Sequence, residues 1–188
     1  MDENERNAVT FAVLEAAKAE GFECRGSLPA HLLEVDPEVR SMCADNRCRS
    51  YNKNWACPPA CGTIEEYAKA LGALSVCVVV QTAFALEDEF DIEGMQDAER
   101  LHKERFDRFA SAAKLLRDRA ASSPLALAAG ACTRCPQCSY PERPCRFPDD
   151  AHASMEAAGL IVSATCDAAG IPYYHGKGTI AYTSCLVF

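Results

Sequence analysis

Residues 5–20 set Ala8, Phe11, Ala12, Leu14 and Ala16 at helical intervals, which predicts an amphipathic helix that Gly21 ends in a left-handed cap. Residues 22–40, broken by Pro29 and Pro37, read as irregular. Thr63-Ile-Glu-Glu66 has the form of a capping box and predicts a short helix that closes at Gly72. The valine-rich stretch Ser75–Thr82 then reads as a buried strand. A long helix follows over about residues 96–121. Leu101, Arg105, Phe109, Ala113 and Leu116 keep its period, Glu99/Lys103 and Glu104/Arg108 form i,i+4 pairs, and Ser122-Ser123-Pro124 stops it. Leu125–Ala129 is a second short strand, residues 150–158 and 160–169 read as short helices ended by Gly159 and Gly170, and Thr179–Phe188 is a closing strand.

Strand, long helix, strand predicts a βαβ unit with the first two strands parallel and a right-handed crossover. The expected class is α/β: a small sheet with a βαβ crossover, flanking helices and two cysteine-rich loops at 43–61 and 132–145. A chain of 188 residues, nearly half of them hydrophobic, suits a single domain over 1–188 whose insertions carry the metal.

Charge narrows the partners. Nineteen basic against 27 acidic residues leave a net charge of −8. Phosphate-backbone binding relies on Lys and Arg, so no nucleic-acid partner is expected. The charged start Met1–Arg6 has no apolar signal core, and the apolar stretch Leu74–Val80 is far too short to span a bilayer. A cytoplasmic protein without membrane association is expected. In a reducing compartment, 12 cysteines point to metal or redox chemistry rather than to disulfides.

Their spacing carries the main clue. Cys132, Cys135 and Cys138 recur every third residue, with Cys145 after them. A cuboidal [4Fe–4S] cluster takes a separate thiolate on each iron, and such a run can wrap one face of it. Zn2+ is the alternative ligand, although a single zinc is usually gripped by well-separated Cys-x-x-Cys pairs. Unliganded thiols are the bland reading. Pro136, Pro141, Pro144 and Pro148 restrict the loop and lower the entropy lost when it closes. The first three cysteines match the bacterial ferredoxin run more closely than Cys145, which comes later and precedes Arg146.

Cys43, Cys48, Cys57 and Cys61 form a second, less regular set, in which Cys57-Pro58-Pro59 holds the chain extended beside the thiol. It reads either as a second centre or as a site that leaves Cys61 a spectator. Radical-SAM spacing would need a cysteine where Ile64 stands. Cys77 and Cys185 read as buried structural thiols, and Cys24 and Cys166 are isolated. His102 reads as an ordinary residue on the exposed side of the long helix. Tyr173–Gly178 reads as a turn, against the sharper reading of His175 and Lys177 presented to an anion. Ser154-Met155-Glu156 reads as the middle of a short helix rather than a nucleophile site, since no histidine partner is evident.

Cys43…Cys48-x-x-Tyr51-x-Lys53-Asn54-Trp55-x-Cys57-Pro58-Pro59 resembles the N-terminal signature of a predicted metal-binding family, domain of unknown function 2284. Cys132-x-x-Cys135-x-x-Cys138…Cys145-Arg146-x-Pro148…Ser154-Met155-Glu156-Ala157-x-Gly159 is similar to its second signature, and the likeness covers roughly residues 40–188. The resemblance implies metal binding through iron–sulfur clusters and carries no established reaction. Cys43, Cys48 and Cys57 match its N-terminal pattern, whereas Cys61 has no assured counterpart.

The expected function is therefore a protein holding one or two [4Fe–4S] clusters in an electron-transfer or redox-accessory role, with Tyr51, Trp55 and Tyr140 packed against them. Its partner would be a redox protein or a small-molecule substrate. The alternatives are a zinc-stabilised interaction module and an enzyme that uses an open cluster iron.

Overall fold

Val76–Val80 is buried on both sides, as expected of a strand sandwiched between two apolar layers. In the computed structural model, which describes residues 2–115 and 124–188, this run opens β2 (Val76–Ala85). β2 lies second in a four-stranded sheet with β1 (Cys24–Pro29), β3 (Leu125–Leu127) and β4 (Thr179–Val187), in the order β1-β2-β4-β3. Every neighbouring pair is antiparallel. The fold is α/β, but the βαβ unit is split. β2 and β3 run in the same direction, and β4 lies between them and bonds to both. A closing strand of nine residues supplies a longer ladder to β2 than the three-residue β3 can.

The two faces of the sheet bury different elements. On one face Val76, Val78, Val80 and Leu186 pack with Phe22, with Val9, Val13 and Ala17 of α1 (Glu3–Ala19), and with Phe106, Phe109 and Ala113 of α4 (Ile92–Leu115). α4 begins earlier than its periodicity suggests, and Asp91 accepts a hydrogen bond from the Gly94 N–H at 2.8 Å. Leu116 and the stop at Ser122-Ser123 lie outside the described residues. On the opposite face Cys77, Val79, Cys185, Val187 and Leu127 pack with Leu71 of α3 (Ile64–Gly72), Cys166 of α5 (Val162–Ala168), and Met155 and Leu160.

α1 turns a different face inward from the expected one. Val9, Val13 and Ala17 are buried, whereas Phe11 is 67 % exposed. An alanine-rich helix offers several stripes, and the sheet takes the i, i+4, i+8 row of small and β-branched side chains. The residues read as irregular contain β1 and a short α2 (Pro37–Ser41) capped by Asp36, which accepts from the Glu38 N–H at 2.8 Å. Gly26 and Pro29 hide β1 from a propensity reading, but an edge strand accommodates both. Gly26 is also required by packing, since a Cβ there would stand 2.2 Å from the Ala169 carbonyl oxygen at the end of α5.

Residues 150–158 are turns, not a helix. Ala128 N–H donates to Ala153 O at 2.8 Å and Met155 N–H to Ala128 O at 3.1 Å, which prolongs the sheet edge by one isolated bridge. The capping box at Thr63 and Glu66 is present as expected. Glu99 pairs with Lys103, but Glu104 pairs with Arg100, and Arg108 reaches Glu20 on α1 at 2.7 Å.

His102 differs most from expectation. It is fully buried, with Nδ1 at 2.9 Å from Thr82 Oγ1 on β2 and Nε2 at 2.8 Å from Ser184 Oγ on β4. Both imidazole nitrogens are thereby satisfied, which permits burial of the neutral ring. Its pKa is lowered to about 3 by burial, assisted by the charges of Lys103 and Arg105.

Candidate metal centre

Chain direction brings the two cysteine loops together. The first leaves α2 and ends at α3, and the second follows β3. Cys57 is buried, Cys43 and Cys61 are half-buried, and Cys48 is exposed. The four are close enough to act on one another electrostatically. Cys43 is raised by burial first, then by Cys48 and Cys61 among its neighbours. Burial pushes Cys57 up to about 11, against the Asn54 side-chain hydrogen bond, with Cys48, Cys61 and Cys43 adding to the rise.

Two residues outside the cysteine pattern complete this surround. Arg40 on α2 donates to the Gly62 carbonyl at 2.9 Å and to the Ala157 carbonyl, and it lies beside Cys43 and Cys61. Tyr67 on α3 lies beside the Cys61 thiol. Burial and this thiol together raise the Tyr67 pKa. Gly159 closes the back of the loop. Its φ is +82°, and a Cβ there would meet the Ile64 side chain at 2.7 Å and the Asp36 carbonyl at 3.1 Å.

Cys132, Cys135, Cys138 and Cys145 are all half-buried and line one small cavity with Asn54, Trp55, Ala56, Arg134 and Phe147. Burial raises Cys132, opposed by a hydrogen bond from the Arg134 backbone, while Cys145 and Cys135 add to the rise. The Phe147 N–H donates to Cys145 Sγ at 3.4 Å. N–H donors aimed at sulfur stabilise the thiolate, the form that binds metal. Arg134 ties the loop to α4 through Asp107 at 2.8 Å and sits 5.8 Å from the Phe147 ring centroid. Lys103, also on α4, donates to the Ala131 carbonyl at 2.5 Å.

The loops dock on each other. The Trp55 indole N–H donates to the Arg143 carbonyl at 3.0 Å. Its ring meets Tyr140 edge-on at 4.9 Å, and the Tyr140 hydroxyl donates to Asn52 Oδ1 at 2.6 Å. Among the described residues, no group of three or more His, Cys, Asp or Glu side chains is arranged to hold one metal ion.

A family model described as predicted metal-binding protein (DUF2284) matches residues 26–188, which takes in both loops and all of the sheet but the first two residues of β1. The chain belongs to this family. Neither the curated proteins nor the solved structures gave a match. A metal-binding role thus rests on the family.

The remaining candidates stand apart from these loops. Cys77 and Cys185 are fully buried in adjacent strands, and burial drives the Cys77 pKa well up. The Cys24 thiol donates to Gln81 Oε1 at 3.4 Å, and Cys166 on α5 is buried. His175 Nε2 donates to the same Gln81 oxygen at 2.6 Å, so it anchors the loop before β4 to the sheet. Ser154 Oγ accepts from the Ala157 N–H at 3.0 Å and shapes a turn. Among the described residues, no helix is long and apolar enough to cross a membrane.

Proposed function

We propose that the protein binds two [4Fe–4S] clusters, one in each cysteine loop, and serves as an electron carrier or redox accessory. The observation that carries this reading is the gathering of Cys132, Cys135, Cys138 and Cys145 around one cavity, with Cys43, Cys48, Cys57 and Cys61 as a second group of neighbouring thiols. Thiols that surround a space suit a cluster, which takes one thiolate per iron. When bound, such a cluster stores and releases one electron.

The chain's own residues hold that chemistry in place. Cys43, Cys48, Cys57 and Cys61 would ligate one centre, and Cys132, Cys135, Cys138 and Cys145 the other. Arg40 and Arg134 offset negative charge, the Phe147 N–H bonds the Cys145 sulfur, and Trp55 and Tyr140 pack edge-on across the seam between the loops. A carrier needs a redox partner to fill and empty it. The net charge of −8 suits a protein or small-molecule partner in the cytoplasm rather than nucleic acid or an anionic membrane surface.

Anaerobic purification tests the reading. Brown protein with broad iron–thiolate absorbance, acid-labile sulfide and an EPR signal after dithionite is expected. Colourless protein with stoichiometric zinc and no signal would establish the interaction-module alternative instead.

One observation favours a second reading, an enzyme with an accessible cluster iron. Cys145 also lines an open cleft of about 520 Å³ formed by Trp55, Pro141, Glu142, Arg143, Pro144 and Pro148. That volume suits a small molecule. Cys145→Ser separates the two. Loss of the C-terminal cluster marks Cys145 as an essential ligand of a carrier, whereas full iron retention leaves a three-thiol site open to the cleft.

A further inference from the structure

We infer that the two thiol sets are distinct sites that fill as a coupled pair, with Asn52–Cys57 as the element that ties them. The inference rests on the proposal that both loops bind clusters. Asn54, Trp55 and Ala56 form part of the wall around Cys132, Cys135, Cys138 and Cys145. The next residue, Cys57, belongs to the other set. Asn54 joins the two roles, since its side chain accepts from the Ala56 N–H at 3.0 Å and its backbone carbonyl accepts from the Cys57 N–H at 3.3 Å. One short segment is thus both the lining of one site and a ligand strand of the other.

The N-terminal loop has little regular structure to hold it. Asn46, Arg49 and Asn52 take φ of +53°, +60° and +55°, in the left-handed region that non-glycine residues seldom occupy. Such a backbone persists when its surroundings over-determine it. Two sets of restraints do so: contacts around the thiols, including Arg40, and the dock against residues 139–147. In that dock Tyr140 bonds Asn52, which is itself left-handed and donates its N–H to the Pro58 carbonyl at 2.8 Å. A cluster in either loop fixes that loop, and the dock passes the order to the other. The second cluster then pays less ordering entropy, which is positive cooperativity without a change of fold.

Native mass spectrometry of full-length protein, reconstituted anaerobically with iron and sulfide for half of the sites, reads this directly. A coupling of about tenfold leaves empty and doubly loaded molecules dominant, with the singly loaded form well below its statistical share. Tyr140→Phe and Trp55→Leu keep every thiol and should restore the statistical share. Tyr140→Phe removes only a hydroxyl, so it reports even where the larger change disturbs folding. A native singly loaded population at the statistical share overturns the coupling while leaving two clusters in place. A single centre at saturating iron and sulfide overturns both the coupling and the two-cluster proposal.

Discussion

Arg40 and Arg134 do similar work on the two cysteine loops. Each sets a guanidinium beside thiols whose metal-binding form is anionic, and each fastens its loop to a neighbouring element. Arg40→Gln removes charge-assisted bonds to two carbonyls, a loss of about 1.5–3 kcal/mol each at most. The expected outcome is a lower melting temperature and faster loss of N-terminal iron to a chelator, with C-terminal EPR unchanged under saturating iron. The thiols themselves give a paired prediction. At saturating iron, Cys57→Ala and Cys135→Ala should each keep about half of the native iron, an expectation from equal cluster types. Each should also lose the reduced EPR signal that the other retains. If Cys57→Ala sheds all iron while folded, the eight cysteines form one site.

Among the elements, α1 offers the sharpest contrast between sequence and structure. Phe11 is its largest apolar side chain and stands in solvent, while Val13 is buried under the sheet. Phe11→Ser should change stability by no more than about 0.5 kcal/mol. Val13→Ala should cost about 2 kcal/mol by the cavity it leaves. Chemical denaturation of the two variants checks both. Much of the secondary structure was legible where local chemistry decides it. Val76–Val80 announces a buried strand, and Thr63 with Glu66 announces a helix start. β1 was missed because Gly26 answers to the Ala169 carbonyl of a distant helix rather than to strand propensity. The place of β4 between β2 and β3 was likewise out of reach, since strand order depends on which ladder is longest after the chain has closed. The spacing of Cys132, Cys135, Cys138 and Cys145 announces that they stand near one another, and they line one cavity. Arg40, Tyr67 and the dock of Trp55 on Arg143 were not legible, because each joins residues whose meeting depends on the finished fold.

For the molecule as a whole, His102 makes stability depend on acid. Its ring joins α4 to both central strands through Thr82 and Ser184, so helix and sheet share one buried neutral group. Unfolded, a histidine takes its proton near pH 6.5. In the folded chain burial holds that value at about 3, with Lys103 and Arg105 as further causes. The folded pKa is depressed, so the stabilising effect is complete above about pH 6.5 and is lost as pH falls toward 3. Over that window the unfolded state binds the extra proton, at a cost to stability of up to about 1.4 kcal/mol per pH unit. His152 works in the same sense, with its pKa lowered by burial to about 4. His102→Asn removes the larger contribution. The variant should be less stable than native protein at pH 7.5, since a buried hydrogen-bond bridge is lost. Its stability should then fall by about 2 kcal/mol less than that of native protein between pH 7.5 and 5.0. Urea unfolding of the metal-free proteins at both pH values measures this without interference from cluster loss. Parallel pH dependences for the two proteins would show that His102 is protonated in the folded state and that the neutral bridge to Thr82 and Ser184 is wrong.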